Sequence, residues 1–182
     1  TWEEMGATGW AFRHVQPYFK RMEHAHGGED GWRGTSGPMH INRGRRLNPL
    51  YQAFIEAGRQ AGYPITEDYN GRQQEGFGPM EMTVHNGIRW SSANAYLRPA
   101  LKTGRVQVET HAYARRILLE GRRAIGVEYE QGGEIKQALS TSDVVVAASS
   151  INSPKILQLS GIGPGAVLQG AGIPLVHELK GV

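Results

Sequence analysis

Apolar residues recur at helical spacing between Ala11 and Ala25, at Phe12, Val15, Phe19 and Met22. Pro17 lies inside this run, and because proline lacks a backbone donor and crowds the preceding turn, a regular helix is expected only from Pro17 onward. The polar, glycine-rich stretch His26 to Gly37 reads as a loop, and Pro38-Met39-His40-Ile41 predicts a short strand. A second helix has clearer ends. Asn48 suits the N-cap and Pro49 the first helical position, Leu50, Phe54, Ile55 and Ala57 form an apolar face, and Gly62 and Pro64 close it. The segment Glu67 to Gly78 reads as a long irregular loop, of a length that suggests binding or lid work. Met80, Met82 and Val84 then alternate as in a strand, Asn86-Gly87 marks a tight turn, and Ser91 or Ser92 is expected to cap a helix carrying Ala93, Tyr96 and Leu97.

The second half has a different pattern. Val106 and Val108 suggest a short strand. Ile117-Leu118-Leu119 and Ile125-Gly126-Val127 flank the turn Glu120-Gly121-Arg122, and a further turn at Gly132-Gly133 completes a β-meander. Asp143 opens the continuous apolar run Val144 to Ala148, the pattern of a parallel strand buried on both faces. Ser153-Pro154 predicts a helix start, Gly161 stops that helix near Leu159, and Gly163-Pro164 begins a second short helix ending around Gly170 to Gly172. In doubly wound sheets, ligands bind outside the carboxyl ends of strands, where small side chains and helix N-terminal amides let a cofactor approach. The stretch Ala147 to Ser150 sits at such an end, although by itself it is equally an ordinary strand-to-helix connection.

Composition narrows the class. The 182 residues are 39% hydrophobic and 20% charged, as in soluble globular proteins, and 25 glycines imply a loop-rich α/β chain. The net charge of +3 is dispersed, and its one compact basic run, Arg43-Gly44-Arg45-Arg46, has no interleaved aromatics, so it reads as a solvated loop rather than a nucleic-acid surface. With no cysteine, disulfides, thiolate metal sites and cysteine nucleophiles are excluded, and no metal-ligand spacing is identified. No apolar run is long enough to span a membrane. The first residue, Thr1, and the last run, Lys180-Gly181-Val182, give the expectation of a piece of a longer protein.

Ser149-Ser150-Ile151-Asn152-Ser153-Pro154, continuing to Ser160-Gly161-Ile162-Gly163, resembles a signature of the glucose-methanol-choline family of flavin-dependent oxidoreductases. Other stretches are similar to that family in the same order: Asp68-Tyr69-Asn70-Gly71, Glu75 to Met80, Gly87 to Leu97, Ala124 to Val127, and Gly172 to Val176. The resemblance implies a mixed α/β (α+β) fold, namely a fragment of a glutathione-reductase-like FAD-binding domain with part of an antiparallel-sheet substrate domain. Residues 38–88 would be substrate-domain material and 89–182 FAD-domain material, comprising the meander, the returning strand and two short helices; residues 1–37 carry no firm assignment.

It further implies FAD as cofactor and a small-molecule alcohol of the choline type as substrate, oxidised to the aldehyde with an unspecified electron acceptor. No nucleic acid is involved, and the location would be cytoplasmic or peripheral to the inner membrane. Ala114 would meet the adenine through its main chain, and Ala147, Ala148, Ser149 and Ser150 would border the cofactor. The family's usual Ala-Gly turn reads Ala148-Ser149 here, which adds a Cβ at a point of close approach. Phe77, Met80 and Trp90 are candidates for the substrate cavity, where aromatic faces suit a quaternary ammonium, although for each alone ordinary core packing is the more common explanation. No catalytic residue is assigned within the chain: the family's acid/base pair, a His with a second His or Asn, and its glycine-rich pyrophosphate motif are expected outside it, so the fragment alone is expected to be inactive. His85 is accordingly set aside as a catalytic candidate. The alternatives are a hydroxynitrile-lyase-type member of the family and a non-catalytic binding module.

Overall fold

The computed structural model describes residues 2–44 and 48–182, and it divides into two compact units, one reaching Gln107 and one starting at Val108. Arg45 and Arg46 of the basic run lie outside the described residues.

In the first unit, α1 spans Phe12–Met22 and contains Pro17, so the expectation that the helix begins at the proline is corrected. A proline costs its helix the one hydrogen bond that its missing N–H would have made, here to Arg13, and the helix continues on both sides. Lys20 and Arg21 in the last turn complement the negative end of the helix dipole. The strand β1 (Glu23–Ala25) follows directly and pairs in parallel with β2 (Met39–Arg43), placing His24 opposite His40; β3 (Glu81–Met82) pairs antiparallel with β2, placing Glu81 opposite Arg43. Successive strand residues face opposite ways. Glu23, Arg43 and Glu81 therefore share one face of this sheet, and His24 and His40 share the other.

The helix α2 covers Pro49–Gln60 with the predicted cap: the Asn48 side chain accepts the Leu50 N–H at 3.0 Å. Phe77 lies against its flank, 5.1 Å from the Phe54 ring and 5.5 Å from Tyr63, over Gly58, where any Cβ would strike the Phe77 ring. The strands β4 (Val84–His85) and β5 (Ile88–Arg89) form a two-residue hairpin in which Asn86 and Gly87 both take positive φ, +50° and +77°, as a type I′ turn requires. A π-helical turn, Ala93–Leu97, runs into α3 (Arg98–Leu101). The serine cap expected there is absent: Ser92 makes no side-chain cap, and Ser91 contributes its carbonyl, which accepts from the Ala95 N–H at 3.0 Å.

The second unit opens with the predicted meander, β6 (Tyr113–Glu120), β7 (Arg123–Gln131) and β8 (Glu134–Leu139). The strand expected at Val106 and Val108 does not form; both side chains are exposed and neither residue joins a ladder. The run Val144 to Ala148 also differs from its expectation. It takes no ladder partner among the described residues and lies at the surface, with Val145 85% exposed. A strand persists only where a neighbour takes up its backbone N–H and C=O groups, and none of the described strands pairs with this run.

The helix α4 spans Ser149–Leu159, starting before the Ser153-Pro154 pair expected to open it. Ser153 acts inside the first turns instead, where its Oγ accepts the Ala148 N–H at 3.0 Å. Gly161, at φ +82°, stops the helix as expected. Then β9 (Ile162–Gly163), α5 (Gly165–Gly170) and β10 (His177–Glu178) follow, with β10 parallel to β9. Ser160 ties helix to meander: its hydroxyl accepts the buried Ile117 N–H at 2.8 Å and donates to the Ile156 carbonyl at 2.6 Å.

Much apolar surface stays uncovered. The accessible area is 13430 Å², whereas a chain of 20.0 kDa divided into two equal independent bodies should expose about 10,500 Å². Trp2, Trp10, Phe12, Tyr18 and Phe19 are each more than half exposed.

Candidate functional site

In the second unit a hollow of about 230 Å³ opens between the start of β6, at Ala112 to Ala114, and the first turns of α4, at Ala148, Asn152, Lys155 and Ile156. Two of the sequence-predicted cofactor residues, Ala114 and Ala148, therefore line one concavity. Its size is below the roughly 300–1,000 Å³ of a whole small-molecule site, so it suits one ring system of a larger ligand. Ala114 sits in β6 opposite Tyr129, beside an irregularity in the ladder between Ala114 and Arg116. The Lys155 ammonium reaches the Tyr113 hydroxyl at 3.5 Å across the hollow. Ala147, Ser149 and Ser150 flank it on an exposed turn.

Two backbone features mark that turn. Ser149 has φ +71°, in the left-handed region where a side chain costs energy and glycine does not. Its added Cβ is thus accommodated by strain. The α4 N-terminus also lacks a side-chain cap, leaving first-turn amides free to meet an acceptor. A strained, uncapped and small-sided turn is a surface on which polar ligand atoms can approach the main chain.

The substrate candidates of the first unit have separate surroundings. Phe77 packs on α2, Met80 is two-thirds exposed and offers its carbonyl to the Gly44 N–H at 2.9 Å, and Trp90 stands edge-on to His40 and His85, its Nε1 donating to the Pro38 carbonyl at 2.7 Å. Two groupings in this unit escaped sequence reasoning. One is an ion cluster centred on Arg33, whose side chain is 3% exposed. Its five N–H bonds are all taken: Nε and Nη2 by Glu23, Nη1 by Asp68, and Nη1 and Nη2 by Glu81. Burial alone would weaken its charge, but the bonds to Glu23 and Glu81 and their negative charge outweigh this and hold the guanidinium firmly protonated.

Arg43 adds a second cation, 3.9 Å from Asp68 and 3.8 Å from Glu81. It is therefore a cluster residue rather than part of a solvated loop. Asp68 also accepts the Glu29 and Asn70 backbone N–H groups, so the start of the 67–78 loop is tied to Arg33 and to the Glu29 main chain.

The other grouping is a stack of imidazoles, His24, His26, His40 and His85, on the opposite sheet face. Ring centroids lie 3.7 Å apart for His40 and His85, 4.6 Å for His24 and His40, and 4.7 Å for His24 and His26. Burial first, and then the neighbouring imidazoles, lower the His40 pKa below the ordinary histidine value. The signal for this grouping lay in the alternation His24-Ala25-His26, but its partners came from strands distant in sequence.

Residues 1–176 match the family model described as GMC oxidoreductase. The chain is 58% identical over 181 residues to an oxygen-dependent choline dehydrogenase of Brucella ovis, covering 100% of this chain and 33% of that protein. It is 59% identical, with the same coverage, to one of Rhizobium johnstonii. Among solved structures, pyridoxine 4-oxidase from Mesorbium loti superposes with a TM-score of 0.83 at 29% identity, over 94% of this chain and 34% of that one. An FAD-dependent oxidoreductase from Chaetomium thermophilum superposes with a TM-score of 0.86 at 26% identity, over 100% of this chain and 34% of that one. The chain spans about a third of the length of the curated relatives it matches. The expected mixed α/β fold class is met, and the chain belongs to the GMC oxidoreductase family.

Proposed function

We propose that the protein carrying this chain is an FAD-dependent oxidoreductase acting on a primary alcohol of the choline type and releasing the aldehyde. The reading is carried by the 58% identity, over the whole chain, to oxygen-dependent choline dehydrogenase. When bound, the flavin would accept the hydride of the alcohol carbon. The chain's own residues bind rather than react. Ala114 and Ala148 leave the hollow beside β6 free for one ring system of the dinucleotide, offering main-chain groups and no bulk. The Ala147 to Ser150 turn and the uncapped α4 amides supply donors alongside. Residues 38–88 belong, on this reading, to the substrate-binding portion, and 89–182 to the cofactor-binding portion. Phe77, Met80 and Trp90 are substrate-side candidates of lower rank, since each has a packing or solvent role of its own. The groups that take the hydroxyl proton lie outside this chain, which alone should not turn over.

The deciding experiment uses the full-length protein under anaerobic conditions. Choline should bleach the oxidised-flavin absorbance and yield betaine aldehyde; protein purified with flavin whose absorbance is unchanged by choline and by other primary alcohols would overturn the reading. Filling the hollow by Ala148→Phe should lower the flavin content of the purified protein, and unchanged flavin content would remove the hollow from the cofactor site.

A further inference from the structure

The sheet face opposite the Arg33 cluster carries three imidazoles placed by strand geometry. The strands β1 and β2 run parallel with His24 opposite His40, and His26 follows His24 by two residues and so returns to the same side. One ring nitrogen from each of His24, His26 and His40 lies within 4.8 Å of the others, and His26 Nε2 stands 3.1 Å from His40 Nδ1. Zinc held by imidazoles at about 2.0–2.1 Å in a tetrahedral site sets neighbouring nitrogens about 3.3 Å apart. One edge of such a site already has this spacing, and the third nitrogen needs to close by at most about 1.5 Å. His26 is exposed, which leaves its ring room to turn. The rings lie with planes within 28° of one another, so an ion would fan them to bring their lone pairs together.

We propose that His24, His26 and His40 form a binding site for a divalent transition-metal ion of the zinc class. The donor set supports that class: imidazole nitrogens suit zinc, copper and nickel, whereas calcium and magnesium take oxygen ligands. The nearby carboxylates of Glu23 and Glu81 lie on the other sheet face and are engaged by Arg33. His85 and Trp90 wall the site behind His40. Three protein ligands leave a fourth position for water or a small anion.

The test is titration of the intact, metal-free protein with Zn²⁺ by calorimetry and with Co²⁺ by visible absorption. Binding should saturate at one equivalent, with Co²⁺ giving ligand-field bands of low-coordinate nitrogen ligation. His24→Gln and His40→Gln should each weaken Zn²⁺ binding by at least the roughly 10–100-fold that loss of even an outer-shell partner costs. His14→Gln, on α1, should leave it unchanged. Absence of binding, or affinity in both cluster variants equal to that of the unmodified protein, would overturn the proposal. Should a variant misfold, imidazole ¹⁵N spectra of the unmodified protein decide: Zn²⁺ must shift ring nitrogens of His24, His26 and His40, and shifts confined to other histidines refute the site.

Discussion

The Arg33 cluster and the Ala148-Ser149 turn sit at opposite ends of a scale. Every donor of the Arg33 guanidinium is matched, the side chain is buried, and loops far apart in sequence converge on it. At the turn the residues are exposed, the helix start is uncapped, and a serine holds a backbone conformation better suited to glycine. The first arrangement expends most of its polar groups on one another, and the buried Nε of Arg43 is left without a hydrogen-bond partner. The second leaves its helix start without a side-chain cap, although the Ala148 N–H is held by Ser153 Oγ, and it carries strain, as binding surfaces commonly do. A dense network of charged residues is therefore the poorer functional candidate of the two.

The contrast can be broken most sharply at its buried end. Arg33→Met leaves Glu23, Asp68 and Glu81 without their shared cation, and should destabilise the first unit by about 3–5 kcal/mol, read as a shift in the urea midpoint. A loss below about 1 kcal/mol, the scale of an exposed pair, would mean that the cluster does not hold the loops. Next in size, Ser160→Ala strips the Ile117 N–H of its partner and should cost about 1–3 kcal/mol, measured the same way. At the turn the sign reverses. Ser149→Gly should stabilise by about 1 kcal/mol, since glycine bears φ +71° without the side-chain penalty, while flavin content stays unchanged. A loss of stability there would show that the serine side chain contributes more than its strain.

The smallest effect concerns α2. Hydrogen bonds from Arg59 and then Gln60 hold the Glu56 carboxyl at about 2, against an ordinary 4.5. A folded-state value below the unfolded one stabilises above the unfolded value and is lost as pH falls, so helicity from α2 should decline slightly between pH 4.5 and 2. High salt should shrink that decline, because the pair is exposed.

Local signals were legible in the sequence wherever the structure depends on neighbours along the chain. Asn48 caps α2, Asn86-Gly87 turns the hairpin, the paired glycines divide the meander, and Gly161 ends α4. Misreadings arose where one rule was applied without its context. Pro17 cost its helix one bond rather than its existence, and Val144 to Ala148 has the composition of a central strand without a partner to pair with. Of the candidate site, the Ala114 and Ala148 juxtaposition was implied by family likeness, whereas the left-handed serine beside it is visible only in the backbone. The arginine cluster and the imidazole stack were hidden because register between separated strands and loops, rather than any motif, brings their members together.

The Ser160 bridge has a consequence for how the hollow can be watched. The Ile117 amide proton is bound to a side chain of the α4 C-cap rather than to a neighbouring strand, so it exchanges with solvent only when helix and meander part. Its deuterium uptake therefore reports the opening free energy of that single seam, separately from the fraying of the meander itself. A ligand that clamps β6 against α4 should slow this one amide more than those at the strand ends, which would locate binding in the hollow without any change in colour or activity.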